Sequence, residues 1–167
     1  TKEPFILVGL SMGGMLASEI AKLFPPKLTV LISSVPTSSQ LPGYYKYVNR
    51  FKLYKLVPTK VLKSISVAKR IFSTETHQAK KVLVEVIKES DPIFIRWAIQ
   101  AILEWENETI PQPIKHIHGT KDGILPIKNT NPSHAILDGT HLMLMSRVKE
   151  LNAFFAEVCA EVESQEL

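Results

Sequence analysis

The hydrophobic pattern of this chain has two periods. Phe5-Ile6-Leu7-Val8 is a short apolar run of the kind that forms a buried strand, and Met15 to Phe24 carries apolar residues at helical spacing until Pro25-Pro26 stops it. Leu28-Thr29-Val30-Leu31-Ile32-Ser33-Ser34 then reads as a second buried strand. Strand, helix, strand is the unit of a parallel sheet. From about Val35 to Thr109 strand signals give way to helical ones. Gln78 to Ile87 reads as one helix. Ser90-Asp91-Pro92 opens another, with Asp91 as N-cap and Pro92 at the first helical position. Its body, Ile93 to Trp105, is mostly apolar and is expected to lie under another element. The short period then returns. Ile114-Lys115-His116-Ile117-His118 is a strand closed by Gly119, and Ser133 to Leu137 is a last short strand. Residues 120–126 form a loop between them, and 126–132 read as plain loop. An amphipathic helix runs from about Met143 or Ser146 to Val162. No internal repeat and no low-complexity linker interrupts this order.

The chain has 167 residues, enough for one domain with a real core. No apolar run reaches the length of a membrane span, and nothing resembles a signal peptide. The single cysteine, Cys159, excludes an internal disulfide. A reducing, cytoplasmic setting fits, and a buried inert thiol is expected. Net charge is +4, unevenly spread: Leu41 to Phe72 holds Lys46, Arg50, Lys52, Lys55, Lys60, Lys63, Lys69 and Arg70 and no acidic residue. Tyr44, Tyr45, Tyr47, Phe51 and Tyr54 are interleaved with these cations. The stretch reads as an amphipathic cap with aromatics toward a pocket and lysines toward water. The competing reading is a lid that attracts anionic substrates or a membrane surface. Nucleic-acid binding has no motif behind it. Scattered histidines and one cysteine give no metal-ligand spacing, so no metal is expected, and no organic cofactor is implied.

The candidate chemistry begins at Gly9-Leu10-Ser11-Met12-Gly13-Gly14, which follows a strand and opens a helix. Gly-x-Ser-x-Gly in that setting is the layout of a nucleophile elbow, a turn that forces the serine into strained backbone angles. A Cβ at Gly9 or Gly13 is expected to clash across so tight a turn. The positive end of the following helix favours negative charge beside the serine. A serine hydroxyl needs a base in reach and a third group to orient that base. Asp122 lies in the loop leaving one strand and His141 in the loop leaving the next, where a parallel sheet gathers its carboxyl ends. Asp138, three residues before His141, is better read as a turn residue. His116 and His118 share a strand with Ile117 and fit a sheet-embedded or supporting role, while His134 and His77 read as surface residues. Glu104, Glu106 and Glu108 read as a solvated helix end.

The order Ser11, Asp122, His141, with His118-Gly119-Thr120-Lys121-Asp122-Gly123-Ile124-Leu125-Pro126 and Gly139-Thr140-His141, resembles the α/β-hydrolase family over nearly the whole chain. The resemblance implies an α/β fold in which a parallel sheet, equivalent to the last four strands of the family, is flanked by helices. Residues 1–37 and 109–167 would form the core and 38–108 a helical cap. It further implies a serine hydrolase acting on a carboxylic ester or thioester, with Ser11 as nucleophile, His141 as base, Asp122 as orienting acid and the Met12 N–H as an oxyanion donor. Serine in place of aspartate argues against the dehalogenase and epoxide-hydrolase branches. Trp97, Trp105 and Tyr44 of the cap would contact an apolar acyl or alkyl group of a small-molecule substrate. No membrane or nucleic-acid partner is expected. In the family several dozen residues precede the elbow, including a loop that supplies a second oxyanion donor. This chain begins at the elbow strand and is therefore expected to be the C-terminal part of a longer hydrolase. A lost oxyanion donor costs about 2.7 to 4 kcal/mol of transition-state stabilisation. The alternative is accordingly a non-catalytic ligand-binding or interaction piece of the same fold. The exposed edge of its first strand makes a homodimer an expected form.

Overall fold

The structure is a computed structural model that describes residues 3–58, 61, 64 and 76–164. Four parallel strands, β1 (Ile6–Leu10), β2 (Leu28–Ile32), β3 (Ile114–Gly119) and β4 (His134–Ile136), pair in chain order. Register runs Gly9 to Leu31 between β1 and β2, Leu31 to His116 between β2 and β3, and Ile117 to His134 between β3 and β4. Five α-helices flank the sheet among the described residues: α1 (Met12–Leu23), α2 (Gly43–Arg50), α3 (His77–Glu89), α4 (Pro92–Leu103) and α5 (Val148–Ser164).

Every residue of β2 is buried, as expected of a Val/Ile/Leu run covered on both faces. One core joins Leu28, Val30 and Ile32 of β2 and Ile117 of β3 to Leu151, Phe154 and Val158 of α5. The spacing of these three helix residues, i, i+3 and i+7, is the apolar stripe of an amphipathic helix. A second core, at the carboxyl edge, packs Met15, Val35, Leu41 and Leu125 with the half-buried Tyr45, Ile102, Trp105 and Ile124. This second core is where α2 and the end of α4 meet α1 and the chain leaving β2 and β3.

Several boundaries and burials differ from the sequence reading. β1 begins one residue later than expected and includes Gly9 and Leu10. β2 ends at Ile32, because Ser33 turns into the left-handed region with φ 45°. α1 starts immediately after Ser11. A 3-10 turn at Met143–Met145 precedes α5, which starts only at Val148, and another covers Ile127–Asn129 within the expected plain loop. Asp91 does cap α4, its Oδ1 accepting the N–H of Ile93 at 2.8 Å, with Pro92 at the first position.

The apolar α4 is covered only in part: Ile102 packs into the second core, but none of its residues is fully buried, and Ile93 is 77% exposed. Cys159 is exposed rather than buried. It follows Val158, and one step along a helix turns a side chain about 100° off the buried stripe. In the basic stretch, Tyr45 and Tyr54 turn inward, but Tyr44, Tyr47 and Phe51 are exposed, so only part of the expected aromatic face is formed. Lys60, Lys63, Lys69, Arg70 and Phe72 lie outside the described residues.

Candidate active site

Ser11 links β1 to α1 with φ 51° and ψ −122°, a conformation that costs a non-glycine residue about 1 to 3 kcal/mol. Two bonds hold it there. The Ser11 N–H donates to the Ile32 carbonyl at 3.0 Å, and the Ser34 hydroxyl donates to the Ser11 carbonyl at 2.6 Å. The glycines divide the steric work differently from the expectation. A Cβ on Gly9 would fall on the backbone of Gly13 and Gly14, as expected. At Gly13 a Cβ would meet nothing within 4 Å, whereas at Gly14 it would strike the Ser34 side chain. The crowding on the helix side therefore falls on Gly14.

Asp122 and His141 reach the same edge from the other strands. β3 ends at Gly119, which lies so close to Gly139 that a Cβ on it would strike that residue's backbone. The Lys121 N–H donates to the Gly139 carbonyl at 2.9 Å, tying the loop after β3 to the loop after β4. His141 Nδ1 lies 2.8 Å from Asp122 Oδ2, and His141 Nε2 lies 2.8 Å from Ser11 Oγ. A carboxylate only accepts, so Nδ1 carries the proton and Nε2 is left to accept from the Ser11 hydroxyl. Such an arrangement can draw the proton from a serine as it attacks an electrophilic carbon.

The electrostatics suit an ionised acid. Burial alone would raise the Asp122 carboxyl, but hydrogen bonds from His118, His141 and the Leu125 backbone outweigh it and hold the group well below the usual carboxylate range. Asp122 Oδ1 accepts the N–H groups of Ile124 and Leu125, each at 2.9 Å. Asp138 is elsewhere: it sits in a turn with φ 58°, and its carboxylate pairs with Lys121 at 2.9 Å. This is the turn residue its spacing suggests.

Met12 is the first residue of α1, so its N–H is among those a helix leaves without an intrahelical acceptor. Its side chain lines a cavity of about 90 Å³ with Met15, Leu16, Glu19, Trp97, Ala101, Ile102 and Trp105. Trp97, 52% exposed, and Trp105 thus come together beside the elbow helix. The Trp105 indole N–H donates to Glu19 at 2.8 Å and anchors the chain after α4 to α1. Trp105 also lines a wider groove of about 820 Å³ with Tyr45, Lys46 and Arg50. Tyr44, 56% exposed, lines neither space and packs edge-to-face on Tyr45. It is Tyr45 that turns inward, its hydroxyl 3.4 Å from the Ile124 carbonyl. Burial, followed by Tyr44 and the negative Asp122, raises the Tyr45 hydroxyl above its ordinary value.

Of the remaining histidines, His77 is exposed, and His134 is half-buried against Phe154 with Glu157 3.2 Å from its Nε2. His116 and His118 are buried side by side. Glu104 accepts the Tyr54 hydroxyl at 2.8 Å, so it is more than a solvated helix end. Asn107 was not singled out by any sequence signal: it is buried and bonds the carbonyls of Pro36 and Thr109. Among the described residues no group of three or more His, Cys, Asp or Glu could hold a metal ion. No helix among them is long and apolar enough to cross a membrane.

The parallel four-stranded sheet, its flanking helices and the elbow define the C-terminal portion of the α/β-hydrolase fold. Solved structures of that fold superpose on nearly the whole chain. An esterase from Thermogutta terrifontis matches 95% of it with a TM-score of 0.73 and 18% identity. An esterase from Exiguobacterium antarcticum matches 93% with a TM-score of 0.59 and 17% identity. A bromoperoxidase from Bacillus anthracis matches 90% with a TM-score of 0.61 and 16% identity. The chain spans 65% of the length of each of these three. No protein-family model and no curated protein matches the sequence. At these identities the likeness is one of fold, and fold does not decide chemistry.

Proposed function

We propose that this chain carries the reacting groups of a serine hydrolase acting on carboxylic esters or thioesters. The observation that carries the reading is the unbroken line from Ser11 Oγ through both nitrogens of His141 to Asp122, with 2.8 Å at each step. Ser11 Oγ attacks the acyl carbon while its proton passes to His141 Nε2. The carbonyl oxygen becomes an oxyanion, which the Met12 N–H at the head of α1 stabilises. Collapse breaks the bond to the leaving alkoxide or thiolate, which takes the proton from His141 and leaves an acyl-serine. Water then attacks the acyl carbon, gives a proton to His141, and Ser11 is released with its proton restored. Asp122 stays ionised throughout and stabilises the imidazolium formed in each half. The step sequence uses no metal and no cofactor.

The acyl group is proposed to enter the cavity between α1 and α4, against Trp97 and Trp105. Apart from Glu19, which accepts the Trp105 indole N–H, its lining is apolar and matches a short aliphatic chain, and a volume of about 90 Å³ holds roughly three to four methylene-sized groups at ordinary packing. Tyr44, through its contact with Tyr45, is proposed to bound the outer side of the cap.

Fluorophosphonate labelling of the purified chain, read by intact mass, tests the reading. One adduct is expected, lost in both Ser11→Ala and His141→Ala. A folded chain that takes up no label overturns it and leaves a binding role for the same fold.

A further inference from the structure

Two buried histidines stand behind Asp122 without a part in the chemistry just described. His118 Nε2 lies 2.7 Å from the Leu125 carbonyl oxygen and 3.3 Å from Asp122 Oδ2, and His118 Nδ1 lies 3.0 Å from His116 Nε2. A carbonyl oxygen can only accept, so His118 Nε2 must carry a proton. In the neutral ring Nδ1 is then an acceptor, and the His116 nitrogen facing it must donate. His118 is thereby fixed as the Nε2–H tautomer, and the hydrogen bonds run in one direction, from His116 Nε2 to His118 to the acid loop. Neutrality fits the burial of His116, which with the adjacent His118 lowers its ring to about 3.

We propose that His118 is a positioning residue for Asp122, sharing its Nε2–H between the Leu125 carbonyl and Asp122 Oδ2, with His116 supplying the donor that its other nitrogen requires. Leu125 closes the arrangement. Its N–H donates to Asp122 Oδ1 at 2.9 Å while its carbonyl takes the His118 proton, so Asp122, Leu125 and His118 form a ring. Asp122 thus faces four donors: Ile124 and Leu125 on Oδ1, and His118 and His141 on Oδ2. A carboxylate held on both oxygens cannot rotate. The lone pair aimed at His141 is therefore set before any substrate arrives. Because His118 and His141 draw on one oxygen, His118 also limits how strongly that oxygen pulls on His141.

The test uses the whole chain, labelled with nitrogen-15. Long-range proton–nitrogen spectra at neutral pH are expected to show His118 protonated at Nε2 and bare at Nδ1. A His118 protonated at Nδ1 overturns the proposal. His118→Leu removes the donor, and His118→Gln places an amide N–H where Nε2 stood. Labelling of Ser11 is expected to slow about 10- to 100-fold in His118→Leu and to return toward the original rate in His118→Gln. The low-field proton of the His141–Asp122 bond is expected to move or vanish in the first variant and to hold its position in the second. Equal behaviour of the two variants, changed or unchanged, assigns His118 a merely structural role and overturns the proposal. If His118→Leu does not fold, the tautomer and His118→Gln still decide. His118 acts here on the proposed hydrolase chemistry, and the two fail separately. An unlabelled Ser11 with His118 protonated at Nε2 sinks the hydrolase and leaves the support of Asp122, which the low-field proton then reads alone.

Discussion

The hydroxyl of Ser34 donates to the carbonyl oxygen of Ser11 at 2.6 Å, fastening the strained turn after β1 to the chain that leaves β2. The contact needs the space that Gly14 leaves empty. Gly14→Ala would push a methyl group into the Ser34 side chain and is expected to destabilise the fold by about 1 to 3 kcal/mol. Gly13 has open space around it in the same helix, so Gly13→Ala is expected to stabilise by about 0.5 to 1 kcal/mol. Denaturant unfolding of the two variants checks the contrast, and equal effects would contradict it.

Asp122 and Asp138 offer a paired comparison. Asp122→Asn removes the charge facing the His141 Nδ1–H and allows the wrong tautomer, so labelling of Ser11 is expected to fall by about 10³- to 10⁴-fold. Asp138→Asn loses an exposed pairing with Lys121, keeps a residue type that tolerates positive φ, and is expected to label at the original rate. Labelling rates of the two variants, taken side by side, decide.

His116 gives the stability of the chain a definite pH dependence. Its folded ring titrates at about 3, below the ordinary value of 6.5, so between these limits the unfolded chain binds the extra proton. Its contribution is fully present above 6.5 and is lost progressively as pH falls toward 3, with a slope approaching about 1.4 kcal/mol per pH unit. Asp122, depressed by its donors, adds a loss that begins only below its ordinary value of 3.8. Between pH 6 and pH 4, His116→Leu is therefore expected to show a shallower fall in unfolding free energy, by about one proton equivalent. Parallel profiles would show that His116 is not buried as a neutral ring.

The cavity beside Met12 sets an expected limit on the acyl chain. Ala101→Leu would add three carbons to the lining of a space of about 90 Å³. Acetyl esters are expected to be retained while butyryl and longer esters lose about tenfold or more in kcat/KM, the discrimination available from one to two methylenes. An unchanged chain-length profile would place the acyl group elsewhere.

Much of this site was legible because its geometry is written locally. A strand, Gly-x-Ser-x-Gly and a helix specify the turn at Ser11, and the chain order of Asp122 and His141 follows from which strand each one leaves. What stayed hidden depends on relations between elements. Which glycine is crowded depends on where α1 sits relative to Ser34, so the sequence pointed to Gly13 where the structure crowds Gly14. The ring of Asp122, Leu125 and His118 depends on a loop that turns both polar groups of Leu125 inward. Apolar composition suggested a covered α4, yet hydrophobicity says what a helix could bury and not what stands opposite it. Cys159 was legible in principle, since Leu151, Phe154 and Val158 already define the buried stripe.

His141 is carried by β4, a strand of three residues that pairs with β3 in the described sheet. Amide protons of so short a strand exchange through local opening, well before the fully buried β2 releases its own. Deuterium would thus enter β4 early, and its opening parts the imidazole from the hydroxyl of Ser11 while β2 and β3 stay paired. The lifetime of that contact is a property of β4, shorter than the lifetime of the folded domain that bears it.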